Sequence, residues 1–313
     1  MSSKTFALCS IMSLSAGMSI AEAPQVAVDI APVHSLVARV MEGVGTPDLI
    51  IPAGASPHEY NLRPSEAASL QNADVVFWVS ASLTPWMKNA IETLAEDAVV
   101  TELFEVEGSL KLPFRQGVLF EEHDDHEGHD DHEAHDDHEG HNHDGDDPHA
   151  WLSPDNAAVW LNAIAQTLSK VDPVNASQYY LNAAAGQKEL RELSTKINGI
   201  LAPFEGRNFI VFHDAYQYFE KAFDFYAAGA ISLSDARDPS PARIAKIQNR
   251  INEQNISCIL SEPQFNPNIV AAVASGSDVK MGILDPLGVG LELGETLYFQ
   301  TLHNLAKALS DCL

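Results

Sequence analysis

The chain has 313 residues, is 45% hydrophobic and carries a formal charge of −26. That length supports two domains with cores of their own, and the charge excludes a nucleic-acid binder, which needs a basic surface to meet phosphates. Much of the charge is local: residues 121–147 hold fourteen Asp or Glu and no Lys or Arg.

Lys4 followed by "TFALCSIMSLSAGMSI" and the small-residue sites "SIA" and "AEA" reads as an export signal over residues 1–23, cleaved near Ala21 or Ala23. Cys9 lies inside it with Leu8 before it, a poor lipid-attachment context, so the mature chain is expected free of the membrane and in the periplasm. The stretch "VAVDIAPVHSLVARVMEGV" predicts a strand over Val26–Ile30 and a helix over about 33–42. Strands "PDLIIPAG", "DVVFWVS" and "AVVTEL" then alternate with helices "RPSEAASLQNA" and "TPWMKNAIETLA". Alternation of this kind predicts a parallel sheet of βαβ units, here an N-terminal α/β lobe over 24–170.

The segment "HDDHEGHDDHEAHDDHEGHNH" interrupts it with His123, His126, His129, His132, His135, His138, His141 and His143, eight of the thirteen histidines. It has almost no apolar side chains and repels itself, so it cannot offset the entropy of folding; residues 121–147 are predicted to be a disordered surface loop. Imidazoles among carboxylates suit metal capture, but a chelate that must first be ordered binds more weakly than a preformed cleft. The tract is therefore expected to capture metal ions as an auxiliary to another site.

From Pro154 the pattern is helical to about Phe204, with residues 171–204 predicted to form a long linking helix. Its apolar positions include Tyr180, Leu181, Ala184, Leu190, Leu193, Ile197 and Leu201. Strands "NFIVFH", "FYAAGAI", "ISCILSEP" and "VKMGILDP" then alternate with helices, making a C-terminal α/β lobe over 205–313. The fold class is α/β: two lobes, each with a four-stranded, mostly parallel sheet, joined by one rigid helix.

Open α/β sheets bind ligands beyond the carboxyl ends of their strands. His58, His149, His213 and Asp285 all stand at strand ends or on loops entering the cleft. Three neutral imidazoles and a carboxylate suit tetrahedral Zn²⁺. Such imidazoles bind only when unprotonated, so affinity is expected to fall below about pH 6. His34 also lies near the cleft and reads as a helix-start residue; His303 carries no functional reading. A secreted zinc hydrolase is the competing class, but in "HEGH" and "HEAH" the second histidine comes one residue too early for HExxH. A periplasmic zinc buffer without a transporter is a third reading.

The segments "HEYNLRPSEAASLQNADVVFWV", "DPHAWLSPDNA", "VFHDAYQYF" and "EPQF…GILDPLG" resemble the zinc-binding proteins of bacterial ABC importers, the ZnuA type, across essentially the whole mature chain. The resemblance implies two α/β lobes on a rigid helix, metal histidines at His58, His149 and His213, and a cleft carboxylate at Asp285. Related manganese binders carry a carboxylate where His213 stands, so His213 favours zinc. Some relatives place Glu just before the first histidine; here that position is Pro57 and Glu59 follows instead. Asp285, Glu59 and water therefore remain alternatives for the fourth ligand. Cys258 and Cys312 are an even pair in an exported chain, and the family's C-terminal disulfide falls on them; two buried thiols are the alternative. The expected partners are a zinc ion and a membrane permease with its ATPase, since the chain has no GxxxxGK[ST] motif, and the chain is expected to be a monomer that is not an enzyme.

Overall fold

The computed structural model describes residues 23–115, 120, 145–232 and 239–313. The export-signal residues before Ala23 and all eight tract histidines lie outside the described residues. The first lobe contains β1 (Val26–Val28), α1 (Ala31–Met41), β2 (Asp48–Leu49), α2 (Pro64–Gln71), β3 (Val75–Trp78), α3 (Pro85–Leu94) and β4 (Val99–Glu102). Helices α4 (Pro154–Val171) and α5 (Ala176–Leu201) follow. The second lobe holds β5 (Phe209–His213), α6 (Gln217–Phe223), β6 (Gly229–Ser232), α7 (Pro241–Glu253), β7 (Cys258–Ser261), α8 (Pro267–Ala274), β8 (Lys280–Ile283) and α9 (Leu297–Cys312).

Both sheets are parallel and four-stranded, in the orders β2-β1-β3-β4 and β6-β5-β7-β8. The order reverses between β1 and β3 in one lobe and between β5 and β7 in the other. Switch points of this kind are where open α/β sheets can form a ligand crevice at the strands' carboxyl ends. Helices α2, α3, α4, α7 and α8 begin on proline, whose missing N–H is an orphan there anyway. Ser153 and Ser240 cap α4 and α7 by accepting from Asn156 N and Arg243 N.

Helix α5 spans 26 residues, about 39 Å at the usual rise, and packs on α1, α4 and α9. Leu190, Ile197 and Leu201 are buried as expected, but the face at the start of the helix differs from the sequence expectation. Tyr180 and Leu181 are 45% and 66% exposed, while Tyr179, Asn182, Ala183 and Gly186 are buried. Polar contacts and a small residue set this face. Tyr179 Oη donates to Asp172 Oδ2 at 2.8 Å, and Asn182 Nδ2 donates to the carbonyls of Val40 and Glu42 at 2.9 Å each, closing the end of α1. At Gly186 an added Cβ would meet Leu161 Cδ1 at 2.9 Å, so the glycine permits the close approach of α4.

One hydrophobic core runs through both lobes, from Val28 and Phe77 across Trp160 and Tyr179 to Val211 and Leu260. A second, smaller cluster around Ile210, Phe212, Ile247 and Ile259 lies on the other face of the second sheet. A Cys258–Cys312 disulfide, with Cα atoms 5.8 Å apart, ties the start of β7 to the end of α9.

The tract is rooted in a short stem. Pro113 and Asp146 form an antiparallel bridge, and Asp147 N donates to Leu112 O at 2.7 Å. Gly145–Asp147, the last three residues of the predicted loop, are thus part of the fold. The stem is fastened to the second lobe: Arg115 Nη1 donates to Glu220 Oε2 at 2.6 Å, and Arg115 also pairs with Asp214. Burial raises the pKa of both carboxylates against the pull of Arg115, Glu220 to about 7.

Two outcomes follow from this clamp. Arg115→Met should lower unfolding stability by about 3–5 kcal/mol, because it strands buried carboxylates; urea denaturation measures it. With its pKa raised in the fold, Glu220 holds a proton that the unfolded chain has lost between about pH 4.5 and 7. Its contribution to stability therefore falls as pH rises across that window. Glu220→Gln should gain stability relative to the parent from about pH 5 to pH 7, read by urea midpoints at each pH.

Candidate metal centre

His213 is the last residue of β5, at the β5–β7 switch point. His58 lies on the loop after β2, which is held down where Trp86 Nε1 donates to Pro57 O at 2.9 Å. His149 follows the stem and starts a single 3-10 turn, Ala150–Leu152. Three distant stretches of chain meet here. His58 Nε2 is 3.3 Å from His149 Nε2, and His149 Nε2 is 3.4 Å from His213 Nε2. The potential ligand atoms of the three lie within 4.8 Å of one another. His149 and His213 are buried and His58 is half-buried.

Carboxylates fix two of the rings. Asp147 Oδ1 is 2.7 Å from His149 Nδ1, and Glu262 Oε1 is 2.6 Å from His213 Nδ1. A carboxylate partner favours the Nδ1–H tautomer and turns each Nε2 toward the other rings. The two Nε2 atoms face each other at 3.4 Å. That arrangement suits a cation lying between them. Two nitrogens each about 2.05 Å from one tetrahedral zinc stand about 3.3 Å apart, so the spacing fits such an ion. Asp147 and Glu262 together also supply two negative charges against a dication. Trp151, Phe265, Pro286 and Leu287 wall the cavity with apolar surface, which strengthens electrostatic attraction inside it.

His149 is positioned largely by the opposite lobe. Tyr218 Oη donates to Asp147 O at 2.7 Å, and Gln217 Nε2 donates to Asp147 Oδ2 at 3.2 Å. Trp151 Nε1 donates to Pro286 O at 2.9 Å.

Asp285 is not part of the histidine group. Its Oδ1 accepts from Leu287 N at 3.0 Å and Gly288 N at 3.1 Å, organising the turn after β8. Burial raises its pKa, and those N–H groups oppose the rise. Gly288 in that turn has φ +74°, and a Cβ there would lie 2.5 Å from Thr301 Oγ1. Glu59 is exposed and is likewise outside the group. His34 is buried on α1, its Nε2 3.0 Å from Pro47 O.

Sequence reading did not single out Asp147 and Glu262. The available signals were positional. Asp147 precedes His149 by two residues, the spacing of an Asx turn, and its Oδ1 accepts from His149 N at 3.0 Å. Glu262 directly follows β7, the strand paired with the one that ends in His213.

Comparison with known proteins places the chain in a family. The family described as zinc-uptake complex component A, periplasmic (ZnuA), matches residues 26–312. The high-affinity zinc uptake system protein ZnuA of Brucella abortus (strain 2308) is 41% identical over 95% of this chain and 94% of its own. The protein of the same name from Paracoccus denitrificans (strain Pd 1222) is 41% identical over 94% of this chain and 93% of its own. A solved crystal structure of ZnuA shares the fold, with a TM-score of 0.75 at 22% identity over 93% of this chain and 99% of that one. With a family match over nearly the whole described chain and relatives at this level of identity, the chain belongs to the ZnuA family of periplasmic zinc-uptake components.

Proposed function

We propose that this protein captures Zn²⁺ in the cleft between its lobes, through His58, His149 and His213, and delivers it to an ABC-type permease driven by a cytoplasmic ATPase. The observation that carries the reading is the meeting of three imidazoles, two of them on carboxylate-held rings with Nε2 atoms 3.4 Å apart. Membership in the family implies a zinc ion and a permease complex as partners. No helix among the described residues is long and apolar enough to cross a membrane, consistent with a binding component that depends on a separate permease. Export by the signal over residues 1–23 and a monomeric state complete the proposal.

The contact of both lobes with one core, and the length of α5, favour a small adjustment on loading over a wide hinge closure. Imidazole donors favour zinc over manganese. The auxiliary role of His123, His126, His129, His132, His135, His138, His141 and His143 is part of the same proposal: weak, exchangeable capture beside a tight site.

A competition titration against a chelator of known strength tests the assignment. A variant lacking residues 121–144 should keep one tight zinc, and His58→Ala/His213→Ala should lose it. The deletion stops before Gly145 because the stem residue Asp147 holds His149. The opposite pattern would move the principal site to the tract. Asp147→Ala and Glu262→Ala should each weaken zinc by about 10–100-fold, because the ligand rings lose their orientation. Asp285→Asn separates two roles in the same titration. An amide oxygen still accepts from Leu287 N and Gly288 N, so affinity should hold if Asp285 only organises its turn, and should fall sharply if it is a ligand.

A further inference from the structure

Gln264 lines the same cavity as His58, His149 and His213. It sits in the turn after β7, where Phe265 N donates to Glu262 O at 3.2 Å. Both Nε2 and Oε1 of Gln264 are buried and have no hydrogen-bond partner among the described residues. Such a group is costly unless a water or ion satisfies it. The cavity, about 20 Å³, has room for one water, which needs roughly 10–15 Å³. A tetrahedral ion on three imidazoles has one position left. Neither carboxylate weighed for it is in the histidine group: Asp285 is engaged by the backbone of its own turn, and Glu59 is exposed.

We propose that Gln264 is a positioning residue for the exchangeable fourth ligand, a water bound to the metal, whose O–H its amide oxygen accepts. This rests on the cleft being the zinc site. An ion with three protein ligands and one water has a route out that begins without breaking a protein–metal bond. An incoming donor replaces the water, and the imidazoles let go afterwards. The amide also supplies N–H donors to a hydroxide or small anion in that position.

The experiment is pulsed EPR on the full mature chain loaded with Co²⁺ in D₂O, with zinc affinity and apo-protein melting temperature measured in parallel. The parent should show coupled imidazole nitrogens together with deuterons of a coordinated water. Gln264→Leu should keep the nitrogen signals, weaken zinc by about 10–100-fold and leave the apo melting temperature equal or higher, because it removes an unsatisfied buried amide. Gln264→Glu, which restores an acceptor, should recover tight binding. Absence of the deuteron signal in the parent overturns the proposal. So does a Gln264→Leu protein with unchanged zinc affinity, or one whose affinity falls only alongside a lowered apo melting temperature. Missing imidazole couplings in the parent would instead defeat the cleft assignment, a separate failure.

Discussion

Two imidazole nitrogens held facing each other at 3.4 Å are the constraint on which this site depends. Each ring is held by a carboxylate on its far side, Asp147 for His149 and Glu262 for His213. The fold keeps the pair in place because both carboxylates are themselves pinned. Asp147 is gripped by Tyr218 and Gln217, and Glu262 follows directly on a central strand. A dication at the centre would meet both nitrogens, with its charge balanced by the carboxylates behind the rings. Binding strength therefore comes from preorganisation, with little need for the lobes to close.

The two lobes use one topology for different ends. In the first, the carboxyl end of β1 is sealed by Asp29, whose Oδ2 accepts from Val79 N at 2.7 Å beyond the end of β3. In the second, the equivalent place carries His213 paired to Glu262. One switch point is thus closed by a hydrogen bond to backbone, and the other is opened for a ligand. His58 comes from a loop of the first lobe. His149, though it precedes α4 in the chain, is fixed mainly by side chains of the second lobe. The histidine group is a contact between lobes, and the shared core and α5 set its dimensions.

The acidic histidine tract joins this arrangement at its root. Its two ends are brought together by the Pro113–Asp146 bridge, and the clamp of Arg115 on Asp214 and Glu220 ties that root to the second lobe. The tract's C-terminal end leads within a few residues to Asp147 and His149. The described anchor pairs half-buried Arg115 with buried Asp214 and Glu220, and the described chain resumes at Gly145 only a few residues before His149.

The βα alternation, the strand that ends in His213 and the three histidines were legible in the residues, because each depends on local periodicity or on position at a strand end. The disulfide and zinc were first read from the residues, as an even cysteine pair in an exported chain and as three imidazoles with a carboxylate, and the family resemblance supported both. Other features required the folded chain. The buried face of α5 is set by Tyr179, Asn182 and Gly186, whose partners lie on α1, α4 and the turn before α5, so counting apolar positions chose the wrong neighbours at Tyr180 and Leu181. Asp147 and Glu262 are ordinary acidic residues in an acidic chain until tertiary contacts bring them to the far sides of two rings. Asp285 stands at a strand end as expected, but only the geometry of its turn reveals what its Oδ1 is bonded to. Sequence by itself determined which side chains can bind a metal, since that is a property of the residue. Tertiary structure decided which of them share a centre and which carboxylates orient them, because those depend on distances between segments far apart in the chain.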